Sequence, residues 1–127
     1  MTNINIKGTE DSPSVIIDFD NGIFEISGRS MPENVKSFYE PIIDSISSVA
    51  ADISQYPHPI HFTFKMIYFN TASSKIILDI LLILEEMHKA GKDITIHWYY
   101  KENDEDMLEA GEGYAELVDI PFELKVL

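Results

Sequence analysis

Residues 60–89 hold the arrangement that most limits how this chain can fold. Ile60, Phe62, Phe64 and Met66 alternate with His61, Thr63 and Lys65, the period of a strand. From Met66 to Phe69 the run is continuously apolar, which predicts a central strand buried on both faces. Ile76 to Lys89 reads as a strongly apolar helix that Gly91 stops. Between them lie Asn70, Thr71, Ala72, Ser73, Ser74 and Lys75, four of which favour a helix start, where their oxygens accept from unpaired amides. Ile94, Ile96, Trp98 and Tyr100 form the next alternating run. A strand, a helix and a further strand in this order require a crossover, and crossovers make parallel neighbours.

The flanking segments fit the same plan. Val15 to Phe19 and Ile23 to Ser27 surround Asn21-Gly22, a hairpin signal. A two-residue loop pairs Phe19 with Phe24, Ile17 with Ile26, and Asp18 with Glu25 on the wet face. Ile4 to Lys7 reads as a short edge strand. Gly28 to Met31 reads as a turn, and Pro32-Glu33-Asn34 opens a helix capped by Ser30 or Met31. Val35, Phe38, Tyr39, Ile42, Ile46, Val49 and Ile53 recur at helical steps, with Pro41 expected to bend or split the helix. A weaker helix, Met107 to Val118, carries Gly111 and Gly113, and Pro121 opens a last strand through Phe122, Leu124 and Val126. The prediction is one α/β domain over residues 1–127, a sandwich on a mixed sheet of about five strands in the order β-β-α-β-α-β-α-β.

Composition narrows the function. A formal charge of −13 with nine scattered Lys and Arg argues against nucleic acid or an anionic membrane as partner. The absence of cysteine excludes disulfides, thiolate zinc sites and cysteine nucleophiles. No secretory signal is visible in Met1 to Lys7, so a cytoplasmic location is expected. No Gly-x-Ser-x-Gly elbow or phosphate-binding glycine loop appears, and no catalytic residue or cofactor is expected.

Thr71 carries two compatible readings. Its hydroxyl can cap the helix for roughly 1 kcal/mol. It can also accept a phosphoryl group, whose charge of about −1.5 to −2 suits a helix start. Tyr68, Asn70, Ser73, Ser74 and Lys75 flank it, with Ser73 and Ser74 as reserve acceptors and Lys75 as a cation for the phosphate. On the helix, Lys75, Asp79, Glu85, Glu86 and Lys89 share one solvent arc, into which Leu78 and Leu82 also fall, a candidate partner surface. His58 and His61 lie across Pro59 with no third ligand, so no metal site is expected, and His97 reads as a satisfied residue. The acids Glu102, Asp104, Glu105 and Asp106 suit a helix start capped by Asn103 or Asp104.

Gly8-Thr9-Glu10-Asp11-Ser12-Pro13, Pro32-Glu33-Asn34, Tyr68-Phe69-Asn70-Thr71-Ala72-Ser73-Ser74, Leu84-Glu85-Glu86, Trp98-Tyr99-Tyr100 and Pro121-Phe122 resemble the SiaC family of bacterial regulatory phosphoproteins. The resemblance runs in order along nearly the whole chain. It implies a fold similar to STAS domains of anti-sigma factor antagonists and a switch protein rather than an enzyme. It further implies Thr71 as the residue phosphorylated by a dedicated kinase and dephosphorylated by a PP2C-type phosphatase. An effector protein, a diguanylate cyclase in biofilm and cyclic-di-GMP control, is implied as the partner so regulated. The family commonly has Leu before the Asn-Thr pair, where this chain has Phe69. The alternative is a constitutive STAS-like scaffold in which Thr71 is only a cap.

Overall fold

A computed structural model describes residues 1–127. The elements are β1 (Ile4–Ile6), β2 (Ser14–Asp18), β3 (Ile23–Ser30), α1 (Val35–Ala51), β4 (Ile60–Phe69), α2 (Thr71–Lys89), β5 (Ile94–Tyr100), α3 (Glu105–Leu117) and β6 (Phe122–Val126), with one 3₁₀ turn at Ile53–Gln55. The six strands stand side by side in sequence order. β1 and β3 flank β2 and each runs antiparallel to it, and β3 to β6 run parallel through the three helical crossovers. The expected mixed α/β sheet is present, with β1 as a sixth strand.

One face of the sheet is buried and the other open. Val15, Ile17, Phe24, Ile26, Phe62, Phe64, Ile94, Ile96 and Trp98 are buried under the helices. Glu25, Thr63, Lys65, His97 and Tyr99, at the alternate positions, are only partly covered, and His61 and Glu123 are exposed. The period of two in these strands therefore records a two-layer sandwich. Trp98 anchors α3: its indole Nε1 donates to Met107 O at 3.0 Å, and its ring packs against Tyr114, 5.4 Å between centroids. Gly111 lets α3 come this close, because an added Cβ would lie 2.4 Å from Trp98 Cδ1.

Several local expectations are corrected. The hairpin pairs Ile17 with Phe24 and Asp18 with Ile23, so the register is shifted by two residues and the loop is longer. Asp18 causes this: its carboxylate accepts from the amides of Asp20 and Asn21 and from Asn21 Nδ2, and only Gly22 takes positive φ. A two-residue turn of the expected kind needs positive φ at Asn21 as well. An even shift preserves the faces.

Gly28 to Met31 is not a turn. β3 continues to Ser30, with a bulge after Gly28, whose φ of 97° suits glycine. The cap of α1 is Asn34, which accepts from Ser37 N at 3.1 Å, and α1 runs unbroken through Pro41. Lastly, the end of β4 is not buried on both faces: Ile67 is 51% exposed and Tyr68 45%. β5 pairs with β4 only as far as Phe64, so the final residues of β4 project past their neighbour.

Candidate functional site

The junction of β4 and α2 is built by side-chain chemistry within a few residues. Asn70 leaves the strand with extended backbone, its amide donating to Ser30 O at 3.1 Å. Its side-chain oxygen accepts from Ser73 N at 2.9 Å, and its carbonyl accepts from Ser74 N at 2.9 Å. Asn70 is thus the N-cap. Thr71 is the first helical residue, exposed, and its hydroxyl makes no hydrogen bond within the chain. The cap reading of Thr71 is overturned for this reason: the capping oxygen belongs to its neighbour. The amides of Thr71 and Ala72, ahead of those taken by the cap, are free to meet an oxyanion.

The hydroxyls that follow have different fates. Ser73 is fully buried and its Oγ accepts from Ser30 Oγ at 2.9 Å; Ser30 Oγ in turn lies 2.6 Å from Tyr39 OH. As Ser30 has one proton and gives it to Ser73, Tyr39 is the donor to Ser30. Burial pushes the Tyr39 phenol up to about 12, only partly opposed by the Ser30 hydrogen bond, so it remains a donor across ordinary pH. Ser73 is sealed and cannot serve as a reserve acceptor. Ser74 is half-buried, and its Oγ donates to Thr71 O at 2.6 Å. Its carbonyl accepts from Tyr114 OH at 2.8 Å, which fixes the first turn of α2 to α3.

The surroundings of Thr71 combine apolar and charged groups. Lys75, one turn on, is exposed. Thr71, Lys75, Leu78 and Leu82 succeed one another at steps of four, three and four, so they share one stripe of α2. Leu82 is 40% exposed. Leu78 is half-buried and packs on the core, and Glu85 is largely covered and accepts from Asp119 N at 2.6 Å. The solvent arc is narrower than expected because the α3–β6 connection lies over part of it.

Ile67 and Tyr68 form an apolar step before the junction, with the Arg29 guanidinium 5.4 Å from the Tyr68 ring centre. With Phe69 they line one side of a concavity of about 300 Å³, closed by Asp104, Asp106, Met107 and Ala110 of the α3 start. Asp104 is the cap of α3, accepting from Met107 N at 3.0 Å. The sequence hid the exposure of Ile67 and Tyr68, because an apolar run at a strand end reads as core. The one hint was that Tyr68 follows Ile67 directly, breaking the alternation.

Among the histidines, His97 departs from expectation: it is not a fully satisfied residue, since its Nδ1 is buried without a hydrogen-bond partner. His61 Nδ1 lies 2.8 Å from His97 Nε2 on the open sheet face, while His58 lies apart against the Tyr56 ring. No group of three metal-binding side chains assembles anywhere in the chain.

Comparison with known proteins meets this geometry. The family described as "SiaC family regulatory phosphoprotein" matches residues 6–127. An uncharacterised protein of Pseudomonas aeruginosa strain UCBPP-PA14 is 30% identical over 125 residues, 98% of this chain and 97% of its own. The crystal structure of apo-SiaC from Pseudomonas aeruginosa superposes with a TM-score of 0.87 at 30% identity, covering 98% of this chain and 99% of the other. A chain in the structure of the diguanylate cyclase SiaD in complex with its activator SiaC, from the same organism, superposes with a TM-score of 0.90 at 30% identity over the same shares.

Proposed function

The chain belongs to the SiaC family of regulatory phosphoproteins, and on that premise we propose that it is a non-catalytic switch whose Thr71 is reversibly phosphorylated. A partner kinase adds the phosphoryl group, a PP2C-type phosphatase removes it, and the charge decides whether an effector is bound. The effector is a diguanylate cyclase, by analogy with the relative that is described as the activator of SiaD.

One observation carries this reading: Thr71 is exposed at the first position of α2 while Asn70 does the capping. A hydroxyl with no structural task can be modified without unfolding the helix. Phosphorylation adds about −1.5 to −2 charges beside free helix amides, which receive it well. The same charge faces any partner seated on the stripe of Thr71, Lys75, Leu78 and Leu82, or on the step of Ile67 and Tyr68. A partner whose contact surface is apolar or acidic must then desolvate a phosphate, and binding is lost.

Phosphopeptide mass spectrometry of the protein from its native cells tests the proposal, with modification expected on Thr71 and none on Ser73. Thr71→Glu and Thr71→Ala are then compared for cyclase binding and cyclic-di-GMP synthesis. Equal behaviour of the two variants, with no phosphate found on Thr71, would refute the switch.

A further inference from the structure

We infer that the free edge of β6 is a self-association seam, along which two copies of this chain pair antiparallel about Leu124. β6 is the last strand of the sheet and has a neighbour on one side only. The parallel ladder decides which of its backbone groups are engaged. Ile96 N donates to Pro121 O and Leu127 N donates to Tyr100 O, so residues 121, 123, 125 and 127 address β5. The amides and carbonyls of Phe122, Leu124 and Val126 therefore point away from the sheet.

An antiparallel pair centred on Leu124 uses all of them. Leu124 meets Leu124 of the second copy, and Phe122 meets Val126. Each meeting joins two outward-facing residues, the geometry in which both hydrogen bonds are exchanged. On the open face of the sheet, Glu123 then stands opposite Lys125 of the second copy, and Lys125 opposite its Glu123. On the helix side, Leu124, 36% exposed, covers its counterpart, and Val126, 54% exposed, is covered by Phe122 of the second copy. Centring on Glu123 or on Lys125 sets each of those charges against itself, and a slip of one residue sets charge against apolar side chain. The strand is self-complementary in one register.

A charged residue on an edge ordinarily guards against pairing. Here the two charges are of opposite sign at symmetric positions about Leu124, so they match a second copy instead of repelling it. The other edge, β1, has three residues and offers no such pattern. The net charge of −13 works against association of two copies, so measurements belong at physiological salt, where that repulsion is screened.

Sedimentation equilibrium of the full chain across a concentration series is expected to show the mass rising from 14.5 kDa towards twice that value. Glu123→Lys and Lys125→Glu are each expected to stay monomeric, and an equal mixture of the two to dimerise, since each then offers the opposite sign to the other. Leu124→Pro removes the central outward amide, leaves the β5 ladder intact, and is expected to be monomeric with unchanged circular dichroism. A wild-type chain that is monomeric throughout overturns the inference, as does a dimer that survives both Glu123→Lys and Leu124→Pro. So does a monomeric wild type that loses a protein partner on Leu124→Pro, because the edge then receives that partner's strand.

Discussion

The Ser30 hydroxyl donates to the Ser73 hydroxyl at 2.9 Å, joining the end of β3 to the first turn of α2, which the exposed Thr71 opens. Tyr39 of α1 completes the chain from the far side, at 2.6 Å from Ser30 Oγ. Three elements distant in sequence thus hold the junction from below with neutral hydroxyls, and its outer surface stays free. Ser30→Ala is expected to leave both Tyr39 and Ser73 short of a partner and to cost about 1–3 kcal/mol. Tyr39→Phe keeps the Ser30–Ser73 bond and is expected to cost about 1 kcal/mol. Shifts in the urea midpoint at constant m-value measure both.

Capping separates the roles of two adjacent residues. Asn70→Ala removes the oxygen that accepts from Ser73 N and is expected to cost about 1 kcal/mol. Thr71→Ala is expected to change stability by no more than about 0.5 kcal/mol, as for a surface position. If thermal or urea unfolding shows Thr71→Ala to be as costly as Asn70→Ala, Thr71 has a structural task and the assignment of a free hydroxyl fails.

Two glycines of α3 predict opposite signs. An alanine Cβ at Gly111 meets Trp98 Cδ1 at 2.4 Å and Leu124 Cδ2 at 2.7 Å, so Gly111→Ala forces α3 away from the sheet. The expected cost is about 1–3 kcal/mol, the usual range for overpacking. Nothing lies within 4 Å of a Cβ at Gly113. Gly113→Ala is expected to stabilise by up to about 1 kcal/mol through helix propensity alone. Urea unfolding of the two variants side by side decides it.

Protonation of His97 gives a pH dependence of defined sign. Burial lowers its pKa below the ordinary 6.5, and Lys125 and His61 lower it further, against an opposing pull from Glu123. The folded state therefore resists a proton that the unfolded chain accepts, so stability falls as pH drops below 6.5. Two protonated rings could not keep the 2.8 Å contact between His61 Nδ1 and His97 Nε2, since both nitrogens would be donors. His97→Gln is expected to flatten this slope in urea titrations at several pH values. An unchanged slope would assign the acid sensitivity elsewhere.

Leu82 tests the partner surface. Leu82→Glu puts a charge on the Thr71 stripe at a position 40% exposed, so folding is expected to be unaffected. Loss of effector binding with an unchanged melting temperature supports a docking face on α2. Full binding would confine the contact to Ile67, Tyr68 and the first turn.

Much of the architecture was legible because periodicity reports burial on one face. The alternation in residues 60–66 and 94–100, with a helix between, was enough for parallel strands, and Gly91 stopped α2 as expected. The errors share a cause. An apolar residue is silent about whether a neighbouring strand is present, so Ile67 and Tyr68 read as core although β5 has already diverged from β4. In the hairpin, Asn-Gly announced a turn but not its length, which Asp18 set by binding the amides of Asp20 and Asn21.

The sequence alone determined that a hydroxyl-rich segment stands between a strand and a helix, because those residue types satisfy the unpaired amides of a helix start wherever they occur. It could not rank those hydroxyls, since three of them have similar local chemistry. Only the tertiary structure did so: Asn70 took the capping bond, the Ser30–Tyr39 pair drew Ser73 into the core, and Thr71 was left facing solvent. The physical reason is that a hydroxyl's accessibility depends on what folds over it, and the groups over Ser73 come from residues about 30 to 45 positions earlier in the chain.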